Sequence, residues 1–150
     1  MKKGIILGLI FCLAVSTAWA AHTSIIGGFR NGLAFGIQTE QKFSDRWEGN
    51  FAMETTTGED SNFSGDNPFT LFTGLKYGLG TLGSSPVFAC FGGVGNYGIN
   101  TEYGGYGSVT FENIYQNPAL YLDLGFDVFN RHAHAFAQLG YRLLAEPANL

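Results

Sequence analysis

The chain has 150 residues, of which 45% are hydrophobic, 15% aromatic and only 13% charged, with 22 glycines and a formal charge of −4. So little charge beside so many aromatics excludes a disordered chain, and the glycines lack the triplet period of collagen. No run of about 20 apolar residues is present to cross a membrane as a helix, which leaves room for a glycine-rich, all-β protein of roughly one domain.

Lys2 and Lys3 precede an apolar run from Gly4 to Val15, and Ala18-Trp19-Ala20 follows. A basic start, a short apolar stretch and an A-x-A site are the marks of a secretory signal peptide. Residues 1–20 are therefore expected to direct export. Cleavage falls between Ala20 and Ala21, with Ala18 and Ala20 as the small recognition residues. Phe11 stands where a lipoprotein would need a small residue before Cys12. The mature chain, 21–150, has six basic and twelve acidic residues, a formal charge of −6. Nucleic acid, which asks for a basic face, is not an expected partner. Cys90 is the one cysteine left in 21–150, so it has no internal disulfide partner and reads as a packed or lipid-facing thiol.

The mature chain alternates with period two. From Phe29 to Phe43, large apolar residues such as Leu33, Phe35 and Ile37 alternate with small or polar ones such as Ala34, Gly36 and Gln38. Successive side chains on a strand point to opposite faces, so this is a two-faced strand. After Ser44-Asp45-Arg46 a second strand runs from Trp47 to Thr55, and a third from Phe69 to Leu79. A fourth, Val87 to about Ile99, is glycine-rich and ambiguous in its facing. Leu120–Val128 alternates most cleanly, and Ala133–Leu143 follows after Asn130-Arg131.

A soluble sandwich would bury the apolar face, whereas a membrane barrel turns it toward lipid and keeps the polar face inside. Membrane strands need about 9–11 residues, longer than the usual 5–6, and these segments are long. The small-side face is rich in Gly, Ala, Gln and Asn rather than in the Lys and Glu of a wet sheet. Both points favour the barrel. The connections alternate as well. Those at 44–46, 80–86 and 130–132 are short, and those at 57–68 and 100–118 are long and polar, as for periplasmic turns and external loops. Six strands are read directly. Tyr106–Tyr115 is a candidate for another, and residues 21–28 are short for one.

Lys42-Phe43-Ser44-Asp45-Arg46-Trp47, Gly74-Leu75-Lys76-Tyr77, Phe91-Gly92-Gly93-Val94-Gly95 and the hairpin from Leu120 to Leu143 resemble the small outer-membrane β-barrel proteins of OmpA and OmpX type. The resemblance spans most of residues 25–144. It implies an antiparallel up-and-down transmembrane barrel of about eight strands, placed in the bacterial outer membrane with lipid as its partner. Gln138–Leu143 looks like the final strand of such a barrel.

On this reading the lumen carries a polar network of Arg30, Glu40, Glu48, Glu54, Lys76, Asp123, Asp127, His134 and Arg142. Buried charges must be paired or hydrated, so the network reads first as a structural plug and second as a narrow cation-preferring path. Trp47, Tyr77, Phe129 and Tyr141 lie near strand ends and are expected at the membrane interface. The loops at 57–68 and 100–118 carry Glu59, Asp60, Asn62, Asp66, Asn100, Glu102, Tyr103 and Tyr106, and are the expected place for a surface ligand.

Catalytic signals are weak. Gly92-Gly93-Val94-Gly95 opens no helix and is not a phosphate loop. His132 and His134 share a face, but no Cys or carboxylate lies at metal spacing beside them in sequence, so no metal or cofactor is expected. No serine neighbours either histidine; Ser108 reaches them only through folding. The expectation is a barrel with a structural or surface-interaction role and no chemistry of its own. A narrow pore or solute transporter is the alternative, followed by a lipid-modifying enzyme or a soluble exported β protein.

Overall fold

The computed structural model describes residues 21–30, 32–57, 69–97, 101–130 and 132–143. The expected signal peptide and cleavage residues Ala18 and Ala20, most of the 57–68 loop, Asn100 and the tail 145–150 lie outside the described residues.

Eight strands close into an antiparallel barrel in simple chain order. They are β1 (Ala21–Arg30), β2 (Leu33–Lys42), β3 (Trp47–Thr56), β4 (Phe69–Leu82), β5 (Ser85–Tyr97), β6 (Glu102–Glu112), β7 (Leu120–Phe129) and β8 (Ala133–Arg142). Each pairs with the next, and β1 closes on β8 through partners such as Ile25 with Tyr141 and Gly28 with Gln138. Closure removes every sheet edge.

Several readings of the sequence need correction. The segment Phe29–Phe43 is not one strand: β1 ends at Arg30 and β2 begins at Leu33. Phe29 pairs with Leu33 across the turn, so the odd residues keep the same face on both strands and the alternation runs on without a visible break. Gly32 makes the turn at φ 134, in a region that disfavours a Cβ. Residues 21–28, short by themselves, belong to a full ten-residue β1.

Residues 100–118 are not a loop either. β6 occupies Glu102–Glu112, and Asn113 ends it with a left-handed φ of 57, so the expected strand at 106–115 starts earlier and stops sooner. The supposed long loop is thus two short connections at opposite ends of the barrel. One end carries 43–46, 83–84, 113–119 and both described chain ends; it is called the turn end below. The other, the loop end, carries 31–32, 57–68, 98–101 and 130–132. The connection 130–132 therefore lies with 57–68 and not with the tight turn at 43–46.

The pleat sorts the side chains. Phe29, Leu33, Phe35, Phe91, Phe126 and Leu139 face outward and expose 47–60% of their surface. Arg30, Glu40, Glu54, Lys76 and Asp127 face inward and are buried. The facing of β5 is settled: Cys90 and Val94 point inward with Phe72, Tyr106 and Phe136 of the interior cluster. A water-soluble barrel would show the opposite polarity, since large contiguous apolar surface is not left in water. The soluble sandwich reading gives way for this reason.

Candidate functional site: the charged lumen

The interior charges gather into two knots. The first lies toward the turn end and takes Glu40, Lys76, Glu112 and Arg142 from the four even-numbered strands, with Glu48 of β3 beside them. Lys76 Nζ lies 2.6 Å from Glu40 Oε1, 2.9 Å from Glu112 Oε1 and 3.4 Å from Glu48 Oε2. Arg142 donates to Glu40 Oε2 at 3.0 Å and pairs closely with Glu112. Gln38 donates to Glu40 at 3.0 Å. The ring of Phe88 lies 4.6 Å from Lys76 Nζ, and the Tyr121 ring lies 5.4 Å from the Arg142 guanidinium. Glu40, Glu48 and Glu112 bring three carboxylates within reach of one ion. The Lys76 ammonium already stands among them and does the work a metal would do.

The second knot lies nearer the loop end. Arg30 Nη1 meets both oxygens of Asp127 at 2.5 and 2.6 Å, and its Nε lies 3.2 Å from Glu54 Oε2. Gln138 donates to Glu54 at 2.8 Å. The guanidinium is held between Phe72 and Phe136, 3.8 and 3.7 Å from the two ring centres. A planar cation between two aromatic faces combines charge pairing with cation–π attraction.

Between the knots, Tyr106 donates to Asn50 at 2.8 Å, Thr110 donates to Asp123 at 3.0 Å, and the Cys90 thiol contacts Thr110 at 3.1 Å. Tyr106, expected in an external loop, is an interior residue of β6.

All nine residues assigned to the lumen from sequence sit on inward positions, but they do not form one network. Glu40, Glu48, Lys76 and Arg142 meet in the first knot, and Arg30, Glu54 and Asp127 in the second. Asp123 stands between them. His134 is at the loop-end mouth, where its cross-strand partner is Asp127. Glu112 and Gln138 join the knots beyond those nine. Glu112 shares parity with Tyr106, Ser108 and Thr110, and that alternation was the available signal. Gln138 is neutral, so charge alone does not single it out.

The interface aromatics divide. Trp47 and Tyr77 pack with ring centres 4.8 Å apart on the outer face near the turn end, and Tyr141 is half exposed there. Phe129 is different. It is 7% exposed, points inward and packs on His132 and His134, because β7 carries its inward face on odd positions. At the loop end three outer aromatics cluster, Phe69, Tyr97 and Tyr103. Phe69 stacks on Tyr97 at 5.0 Å, and Tyr97 meets Tyr103 edge-on at 5.9 Å.

Two aromatic clusters thus flank an apolar band, around an interior of paired charges. The fold is that of a small outer-membrane β-barrel. The N-terminal β-barrel domain of Pseudomonas aeruginosa OprF is similar to it, with a TM-score of 0.56, 12% identity, and coverage of 80% of this chain and 93% of that one. A de novo designed protein, TMB2.3, solved by NMR, is similar with a TM-score of 0.52, 15% identity, and coverage of 83% and 94%. No protein-family model matches the chain, and no curated protein does. The apolar girdle over a charged interior, closed without edges, places the barrel in the bacterial outer membrane.

Proposed function

We propose that this barrel has a structural or surface-interaction role in the outer membrane, with a lumen filled by its ion pairs and no chemistry of its own. The observation that carries the reading is the pair of knots, centred on Lys76 and Arg30, which cross-link strands through the middle of the barrel. An eight-stranded barrel has an interior only wide enough for side chains. The two knots of paired charges within it would hold register and block a continuous water path. The loop end, with the 57–68 connection, faces outward, and a surface ligand would be met there and at 98–101.

A narrow cation-preferring pore is the second reading. Asp123 favours it, since among the described residues it has a hydroxyl partner in Thr110 and no ion-pair partner.

Planar-bilayer recording on residues 21–150, refolded in detergent, tests the proposal. The expected result is no steady channel at neutral pH. A steady cation-selective conductance would replace the first reading by the second. Fatty-acid release from phospholipid vesicles that disappears in His134→Ala would replace both by a lipid-acting enzyme.

A further inference from the structure

The loop-end mouth holds a cluster that the ion-pair knots do not use. His132 and His134 lie two residues apart at the start of β8 and present their rings to the same side, with ring centres 4.6 Å apart. Glu102, the first residue of β6, reaches across the mouth and places Oε2 3.2 Å from His132 Nε2. Sequence spacing hid this carboxylate, because 30 positions separate Glu102 from His132. Phe129 lies between the two strands and packs on both imidazoles, 5.2 and 6.0 Å from them by ring centre.

We propose that His132, His134 and Glu102 form a site for one divalent transition-metal ion of the zinc, nickel or copper class at the outer mouth of the barrel. The geometry supports this. Ligands at about 2.0–2.2 Å in a tetrahedral shell stand about 3.3 Å from one another, and the Glu102–His132 separation is close to that edge. Two imidazoles on one such ion have ring centres about 5 Å apart, close to the observed spacing. His132 and Glu102 stand at the separation of two ligands on one ion; the ligand atoms of all three residues do not lie within 4.8 Å of one another, so binding must turn the His134 ring toward the ion. Phe129 fixes the ring positions, as outer groups do around metal ligands.

The donor chemistry selects the metal. Imidazole nitrogens with one carboxylate suit zinc, nickel or copper and do not suit calcium or magnesium, which prefer all-oxygen shells. Exposure matters too. The side chains of His132 and Glu102 are 36% and 37% exposed, so an ion from outside has a path in and a fourth position remains for water. The turn-end carboxylates differ, because Lys76 fills their centre. The metal site does not depend on whether the lumen conducts.

The test is calorimetric titration of zinc chloride into tag-free residues 21–150 in detergent, with cobalt absorption as a second readout of the ligand field. The expected result is one zinc per chain and a tetrahedral cobalt spectrum. His132→Gln and His134→Gln each weaken binding more than tenfold, Glu102→Gln weakens it about tenfold, and His22→Gln leaves it unchanged. Each variant is scored on protein that keeps the unboiled gel mobility of the folded barrel. Absence of binding at millimolar zinc overturns the proposal, as does binding that survives both His132→Gln and His134→Gln or that is lost with His22→Gln.

Discussion

Lys76 Nζ and Glu40 Oε1 lie 2.6 Å apart in the centre of the barrel, with side chains 1% and 2% exposed. Removing one partner of such a pair leaves a buried, uncompensated charge, which costs about 3–5 kcal/mol. Lys76→Met strands Glu40, Glu48 and Glu112 around one remaining cation, Arg142. The unfolding free energy obtained from a urea titration is expected to fall by that amount. The double variant Lys76→Met with Glu40→Gln should lose less than the two single losses combined, because the charges disappear together. Additive losses would contradict the coupling.

Gly140 exists to admit Tyr121. A Cβ at position 140 would collide with the Tyr121 ring, which crosses from β7 and is 1% exposed. Gly140→Ala is expected to cost about 1–3 kcal/mol as overpacking. Shortening the ring in Tyr121→Leu should remove most of that extra cost. A double-variant unfolding series measures it, and an undiminished penalty would show that the ring is not the obstacle.

Leu124 faces outward midway along β7 and is 41% exposed. An arginine at the bilayer midplane of a barrel costs about 2–4 kcal/mol. Leu124→Arg should therefore lower folding stability in lipid vesicles by that amount. A neutral effect in vesicles would mean that this face does not meet acyl chains.

Trp47 is the single tryptophan of residues 21–150, and it packs on Tyr77 at the turn-end rim. Interface aromatics sit at headgroup level. Its fluorescence should be quenched more by lipids brominated near the carbonyl than by lipids brominated near the chain end. The reverse order would place Trp47 in the bilayer core and remove it from the girdle.

Much of the fold was legible because a strand of a membrane barrel writes its two faces into the sequence. Leu120–Val128 alternates without exception, and its facing holds in the structure. The hidden strands failed for different reasons. β1 ends in a turn that preserves parity, so Phe29 and Leu33 read as one run. β6 is built on Gly104, Gly105 and Gly107, which look like loop and carry little hydrophobic signal. The inward positions of the charges were legible from parity, but their partners were not. Glu40 and Arg142 meet across 102 positions, and only barrel closure, which pairs β8 with β1, brings β8 to within one strand of β2. The inward turn of Phe129 was hidden by its place at a strand end, where aromatics usually mark the interface.

The central claim is a closed barrel embedded in membrane, apolar outside and charged within. Its most direct test is the gel mobility of detergent-folded residues 21–150, unboiled against boiled. A closed membrane barrel resists SDS when cold and changes mobility once heated, and that shift is the expected result. Identical mobility before and after boiling would contradict the claim and reopen the fold, the membrane placement and the proposed plugging of the lumen together.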